Sequence, residues 1–289
     1  NSTQLNSTQT IGAQLRKMII SSFGKDGAPR LDSVSLYALG KLLGKSVKKG
    51  KLTEEEAEAQ SAAALANISY STDVGALADC DLIVEAIIED IKIKVPFYEN
   101  LGATAKPGAI FASNTSSLAI SKMATASGRA DKFVGLHFFN PVQLMKLTEV
   151  IRTDATDDGV FALTQSWAKS LGKTTVSCGD TPGFIVNRLL VPSMAQAILM
   201  VERGDATVAD VDVSMQLGAG YPMGPLTLAD YVGLDTCLSI LEGWETEFPD
   251  EPAFVVPKTL RAMVEKGDFG RKSGKGFYVW DGDKPMGPA

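Results

Sequence analysis

The chain has 289 residues, 45% of them hydrophobic and 21% charged, which is material for one large or two ordinary folded domains and excludes a disordered or collagen-like chain. With 28 Lys and Arg against 34 Asp and Glu the net charge is −6, so the protein as a whole does not attract nucleic acid or an anionic membrane, and only a local basic cluster would grip a phosphate. Cys80, Cys178 and Cys237 are far apart and outside any Cys-x-x-Cys pairing, which excludes a disulfide framework or a zinc site and favours a reducing compartment.

No apolar run is long enough for a membrane span; the best candidate, Gly183 to Met200, carries Asn187, Arg188 and Pro192 and reads as a buried amphipathic helix. No signal peptide is visible, since the N-terminus is polar. Residues 1–10 are two near-copies of a five-residue polar unit and read as a tail. From Ile11 to about Asn67 the pattern is helical. Leu15, Met18, Ile19 and Ser22 mark one face of a first helix, and Asp32 to Lys49 form a second. A third opens at Leu52, where Thr53 and Glu56 have the spacing of a capping box.

Short apolar runs then alternate with helical stretches. Strands are predicted at Asp81–Ala86, Ala109–Ser113, Phe133–Phe139, Lys146–Ile151 and Thr174–Cys178. Helices are predicted through about Ala105, from Ser117, and over Asp157–Leu171. This alternation predicts an α/β fold, a Rossmann-like, mostly parallel sheet with crossover helices. It stops at Gly179–Gly183, and helices follow over 183–203, 207–217, 225–247 and 257–267. The expected division is 1–180 as a Rossmann-like dinucleotide-binding domain and 181–289 as an all-α domain. Apolar residues on more than one helix face in the second part point to a dimer interface or to burial against the first domain.

The sequence holds a single histidine, His137, at the end of a predicted strand, where open α/β sheets place their reacting groups. Two further polar clusters end strands of the same sheet, Ser113–Ser117 and Thr148–Glu149. A carboxylate beside an imidazole holds its tautomer and favours its charged form, as a general base requires. Taken alone, the serine cluster reads sooner as a helix cap and Glu149 sooner as a surface strand residue.

Six motifs settle a family resemblance: SNTSSL at Ser113–Leu118, LHFFNPV at Leu136–Val142, LTEVI at Leu147–Ile151, DTPGFIVNR at Asp180–Arg188, GAGYPMGP at Gly218–Pro225 and SGKGFY at Ser273–Tyr278. Together they resemble the L-3-hydroxyacyl-CoA dehydrogenases of fatty-acid β-oxidation, continuously from about Leu52 to Tyr278. The resemblance implies NAD as cofactor, an acyl-CoA substrate and a homodimer formed through the helical domain. It implies His137 as the base that takes the 3-hydroxyl proton and Glu149 as the carboxylate that orients it. Ser116 and Asn187 would hold the substrate oxygens, so the active site would lie between the two domains. Glu89 and Lys94 fall near the nicotinamide ribose, Asn140 lines the same cleft as a cofactor and substrate residue, and Lys272 is a weaker cofactor candidate. Lys49, with Lys45, Lys48 and Lys51, would suit the CoA phosphates, although a solvated helix end gives the same pattern. A hydroxybutyryl-CoA dehydrogenase working in the synthetic direction is the near alternative. The pathway implies the mitochondrial matrix in a eukaryote or the cytoplasm in a bacterium.

One part of the family pattern is missing. No Gly-x-Gly-x-x-Gly occurs in the chain. Residues 11–32 can be laid on the end of that unit, with Ile11–Ser22 as its helix and Asp32 as the ribose acid. Three accounts follow: a fragment or altered N-terminus of an ordinary dehydrogenase, NAD binding by a different loop, or a catalytically inactive homologue serving as a CoA-binding or assembly subunit. The presence of His137, Glu149, Ser116 and Asn187 together argues against the third, and the first is favoured.

Overall fold

The protein is described by a computed structural model covering residues 18–21, 43–66, 69 and 71–289. The described chain falls into two compact units, one ending at Phe184 and the other beginning at Ile185.

The first unit is built on a six-stranded sheet in the order β1-β2-β3-β4-β5-β6. Its strands are β1 (Met18–Ser21), β2 (Leu82–Glu85), β3 (Ile110–Ser113), β4 (Phe133–Phe138), β5 (Leu147–Arg152) and β6 (Thr174–Gly179). The pairs are parallel except β4–β5, which is antiparallel. The segment expected as a first helix is corrected here, because Met18–Ser21 is a strand paired residue by residue with Leu82–Glu85. Met18, Ile19 and Ile20 are a short apolar run with two β-branched residues, and pairing satisfies the backbone groups along one side of β2. Of the expected second helix, 43–48 is helical, Lys49 stands in the turn after it, and 32–42 lie outside the described residues. The third helix, α1 (Glu54–Ala66), opens with the reciprocal cap read from the sequence. Thr53 N–H donates to Glu56 Oε2 at 2.8 Å, and Glu56 N–H donates to Thr53 Oγ1 at 3.1 Å.

Alternation along the strands sorts their side chains onto two faces. Leu82, Val84, Ile110, Ala112, Val134, Leu136 and Val150 pack with Ala168 of α4 (Asp158–Ser170). The other face buries Ile83, Phe111, Phe133 and Ile151 against α2 (Ile91–Thr104) and α3 (Ile120–Ala126). Gly135 lets α3 approach closely: a Cβ there would sit 2.8 Å from Ile151 and 2.9 Å from Ile120. No side chain of the segment before α3 caps it; Asp180 accepts from the N–H groups of Ile120 and Ser121, both at 2.8 Å.

The second unit packs α5 (Val186–Glu202), α6 (Val208–Ala219), α7 (Pro225–Val232), α8 (Leu234–Glu247) and α9 (Lys258–Glu265) around one core. The helix predicted over 225–247 is two helices, broken at Gly233, whose φ of 105° a side chain would not tolerate. The unit is not helical throughout, since the antiparallel strands β7 (Tyr278–Asp281) and β8 (Lys284–Pro288) close it. The Asp281-Gly282-Asp283 turn and the burial of Tyr278 and Trp280 on one face account for that hairpin. Two buried carboxylates lock the unit. Asp230 accepts from the N–H groups of Phe277 and Tyr278 and from Trp280 Nε1; Asp212 accepts from Leu226 N–H, Thr227 N–H and Tyr278 OH. Among the described residues no helix is long and apolar enough to cross a membrane.

Candidate active site

Glu85, Ser113, His137 and Glu149 share the α2–α3 face of the sheet, because each is in phase with the residues of that core. Glu85 is in register with Ser113, and His137 with Glu149. All four side chains are buried, which in a chain of this composition demands hydrogen-bonded partners.

The partners form one continuous network. His137 Nδ1 lies 2.7 Å from Glu149 Oε2, and His137 Nε2 lies 3.1 Å from Ser116 Oγ. With Nδ1 donating to the carboxylate, the neutral ring keeps Nε2 as the acceptor and faces it toward Ser116. The loop that carries Ser116 is gathered on Glu89 Oε1, which accepts from Thr115 Oγ1 at 2.5 Å, Ser116 N–H at 2.9 Å and Ser117 N–H at 3.2 Å. Burial alone would raise the Glu89 carboxyl, but Lys94 and the bonds from Thr115 and Ser116 more than offset it and hold the group below the usual carboxylate range. Lys94 Nζ bridges Glu89 Oε2 and Glu85 Oε1, both at 2.9 Å. Asn114 Oδ1 accepts from Phe138 N–H at 2.8 Å, tying the same loop to the end of β4. Phe139 and Phe184 flank the imidazole, with ring centroids 4.5 and 5.6 Å away. The arrangement can accept a proton at a buried, oriented imidazole and steady the resulting charge on Glu149.

The structure brings together His137, Glu149, Ser116, Glu89 and Lys94 from the sequence reading. Asn140 is exposed at the bend after β4. Asn187 is half-buried in the first turn of α5, in the second unit. Lys272 is ion-paired with Asp235 at 2.5 Å, also in the second unit. Lys49 is exposed in the turn after 43–48, and Asp32 lies outside the described residues. The sequence reading missed Glu85 and Tyr98, although an acidic residue inside the apolar run Leu82–Ile87 was a visible signal for the first.

The family model described as 3-hydroxyacyl-CoA dehydrogenase, NAD binding domain, matches residues 30–181. The model described as 3-hydroxyacyl-CoA dehydrogenase, C-terminal domain, matches residues 183–280. The chain belongs to the 3-hydroxyacyl-CoA dehydrogenase family. It is thus an NAD-dependent oxidoreductase. A mitochondrial hydroxyacyl-coenzyme A dehydrogenase of Rattus norvegicus is 50% identical over 217 residues, covering 75% of this chain and 69% of that protein. A probable 3-hydroxyacyl-CoA dehydrogenase of Caenorhabditis elegans is 49% identical over 230 residues, covering 78% of this chain and 74% of that protein. The crystal structure of an (S)-3-hydroxybutyryl-CoA dehydrogenase from Ralstonia eutropha is similar with a TM-score of 0.81 at 36% identity, over 92% of this chain and 99% of that one. In this dehydrogenase the antiparallel β4–β5 pair is what sets histidine against glutamate.

Proposed function

We propose that this dehydrogenase oxidises (S)-3-hydroxyacyl-CoA to 3-ketoacyl-CoA reversibly, with His137 as general base oriented by Glu149, in fatty-acid β-oxidation. The observation that carries the reading is the Ser116–His137–Glu149 relay, with contacts of 3.1 and 2.7 Å at the carboxyl end of β4. In the oxidative direction His137 Nε2 takes the 3-hydroxyl proton, and Glu149 stabilises the imidazolium that results. Ser116 and Asn187 hold the substrate oxygens in this reading.

NAD, when bound, would supply the acceptor for the hydride that leaves C3, the carbon whose hydroxyl gives its proton to His137. The described residues fit its ribose: Glu89 keeps a 38% exposed, ionised carboxylate beside the carboxyl ends of the parallel strands, where open α/β sheets bind such ligands. Lys94 steadies that carboxylate, and Asn140 is exposed at the neighbouring strand end. Lys272 and Asp32 complete the cofactor residues of this reading, and Lys49 serves the CoA phosphates. The first unit acts as the dinucleotide-binding domain, and the second as the substrate and dimerisation domain. Exposed Leu189, Val213 and Leu217 on α5 and α6 support a homodimer through the second unit. The mitochondrial label of the Rattus norvegicus relative supports the matrix in a eukaryote, with the cytoplasm as the bacterial counterpart.

The test is absorbance at 340 nm with acetoacetyl-CoA and NADH, using this chain. Oxidation of NADH is expected. Silence that persists when a strand and glycine-rich turn are added at the N-terminus would overturn the reading in favour of an inactive binding subunit.

A further inference from the structure

The buried network has an end that the proposed chemistry does not use. Glu85, the last residue of β2, is fully buried and has four donors on its carboxylate. Lys94 Nζ donates at 2.9 Å, Ser113 Oγ at 2.6 Å, Tyr98 OH at 3.2 Å and Ile87 N–H at 2.7 Å. Such a carboxylate is held by donors from β3, from α2 and from its own loop. The Tyr98 phenol is pushed well above its ordinary range, by burial first and by the Glu85 charge second.

Lys94 is 1% exposed, and an ammonium so buried must be paired. It has two carboxylate partners of different kinds. Glu85 is closed off at 0% exposure, whereas Glu89 is partly open and carries the Ser116 loop on its other oxygen. The partner whose two oxygens are both held by other donors therefore decides where Lys94 stands, and Lys94 decides where Glu89 stands.

We infer that Glu85 is a positioning residue for the dehydrogenase reaction, acting through Lys94 and Glu89 to hold Ser116 against His137. The inference rests on the proposed role of Ser116 and His137. Replacing Glu85 by Gln keeps the shape but leaves Lys94 paired with Glu89 alone, so Glu89 is drawn toward the ammonium and the Ser116 loop follows.

His137 is the chain's only histidine, so tag-free protein labelled with ¹⁵N-histidine gives a single imidazole whose two nitrogens can be followed without ligand. Ser116→Ala is expected to move the Nε2 signal. Glu85→Gln is expected to move it in the same direction, and to add nothing when combined with Ser116→Ala. Turnover in Glu85→Gln should fall about tenfold, the size of one lost charge-assisted hydrogen bond, with KM for the acyl-CoA changed less than kcat. Should Glu85→Gln fail to fold, Tyr98→Phe removes one donor from the same carboxylate and is expected to move the same signal less far. A Glu85→Gln or Tyr98→Phe protein that loses thermal stability with an unmoved imidazole overturns the inference and leaves Glu85 a merely structural residue. An unmoved signal in Ser116→Ala overturns instead the proposed pairing of Ser116 with His137.

Discussion

His137 and Glu149 stand directly opposite each other in the antiparallel pair β4–β5, and their side chains meet with 2.7 Å between Nδ1 and Oε2. Opposed residues in such a pair project to the same face, and a slip of one residue would turn the carboxylate to the other side of the sheet. The neighbours Thr148 and Val150, on that other side, are buried as Glu149 is. A parallel β4–β5 pair would need a long crossover between the two residues; the antiparallel turn brings them together within 12 positions.

Asn187→Ala should lower turnover by about tenfold or more while leaving NADH affinity nearly unchanged, as expected for a group that stabilises charge developing on the substrate. Steady-state kinetics with NADH fluorescence titration checks this. An unchanged rate would remove Asn187 from the site.

Glu89 gives the fold a pH-dependent contribution. Its carboxyl is held low in the folded protein, where Lys94, Thr115 and Ser116 together outweigh burial. A depressed folded value means that this stability is fully present above the unfolded glutamate value of about 4.3 and is lost as pH falls through the folded one. Urea midpoints of the parent and Glu89→Gln should therefore differ by a constant amount near pH 7 and converge below about pH 4. A gap that stays constant into acid would contradict the pairing.

Cys178 and Cys237 should be inert in the native state. Burial, helped by Glu149 and Asp180, raises Cys178 to about 11. Burial again, helped by Asp235 and Asp230, raises Cys237 to about 12. At pH 8 each is almost wholly protonated, so iodoacetamide should label them at least about 100-fold more slowly than a free cysteine. Unfolding in urea should restore ordinary rates, and fast native labelling followed by mass spectrometry would refute this.

Gly276 lies in SGKGFY, and a Cβ there would come 2.1 Å from Asp230 Oδ1. Gly276→Ala should therefore destabilise the second unit by about 2 kcal/mol or more, through overpacking and loss of the Asp230 clamp on Phe277, Tyr278 and Trp280. Chemical denaturation measures it, and a parent-like midpoint would show that the clamp yields without cost.

The alternation of Leu82–Glu85, Ile110–Ser113 and Phe133–Phe138 made the sheet readable, since buried parallel strands are short apolar runs in any context. The Thr53–Glu56 cap was readable because both bonds are local. Met18–Ser21 was not: four residues are too few to separate the two periodicities, and only the pairing with β2 decides for a strand. The break at Gly233 and the closing hairpin were missed because long helical periodicity on both sides of the glycine masked the first, and two short strands carry little pattern in the second. In the site, His137 lies next to the end of β4 and Ser116 in the loop after β3, where polar residues invite notice, whereas Glu149, expected at a strand end, lies inside β5. Glu85 lies within an apolar run, and its meaning comes from Lys94, Tyr98 and Ser113, which are separated from it by 9 to 28 positions.

The most direct measurement is NADH oxidation at 340 nm with acetoacetyl-CoA by the parent chain and by His137→Gln, alongside NADH binding by both. The account predicts that the variant folds and binds NADH as the parent does while turnover falls by about 10² to 10⁴. Parent-like turnover in His137→Gln would contradict the assignment of the catalytic base.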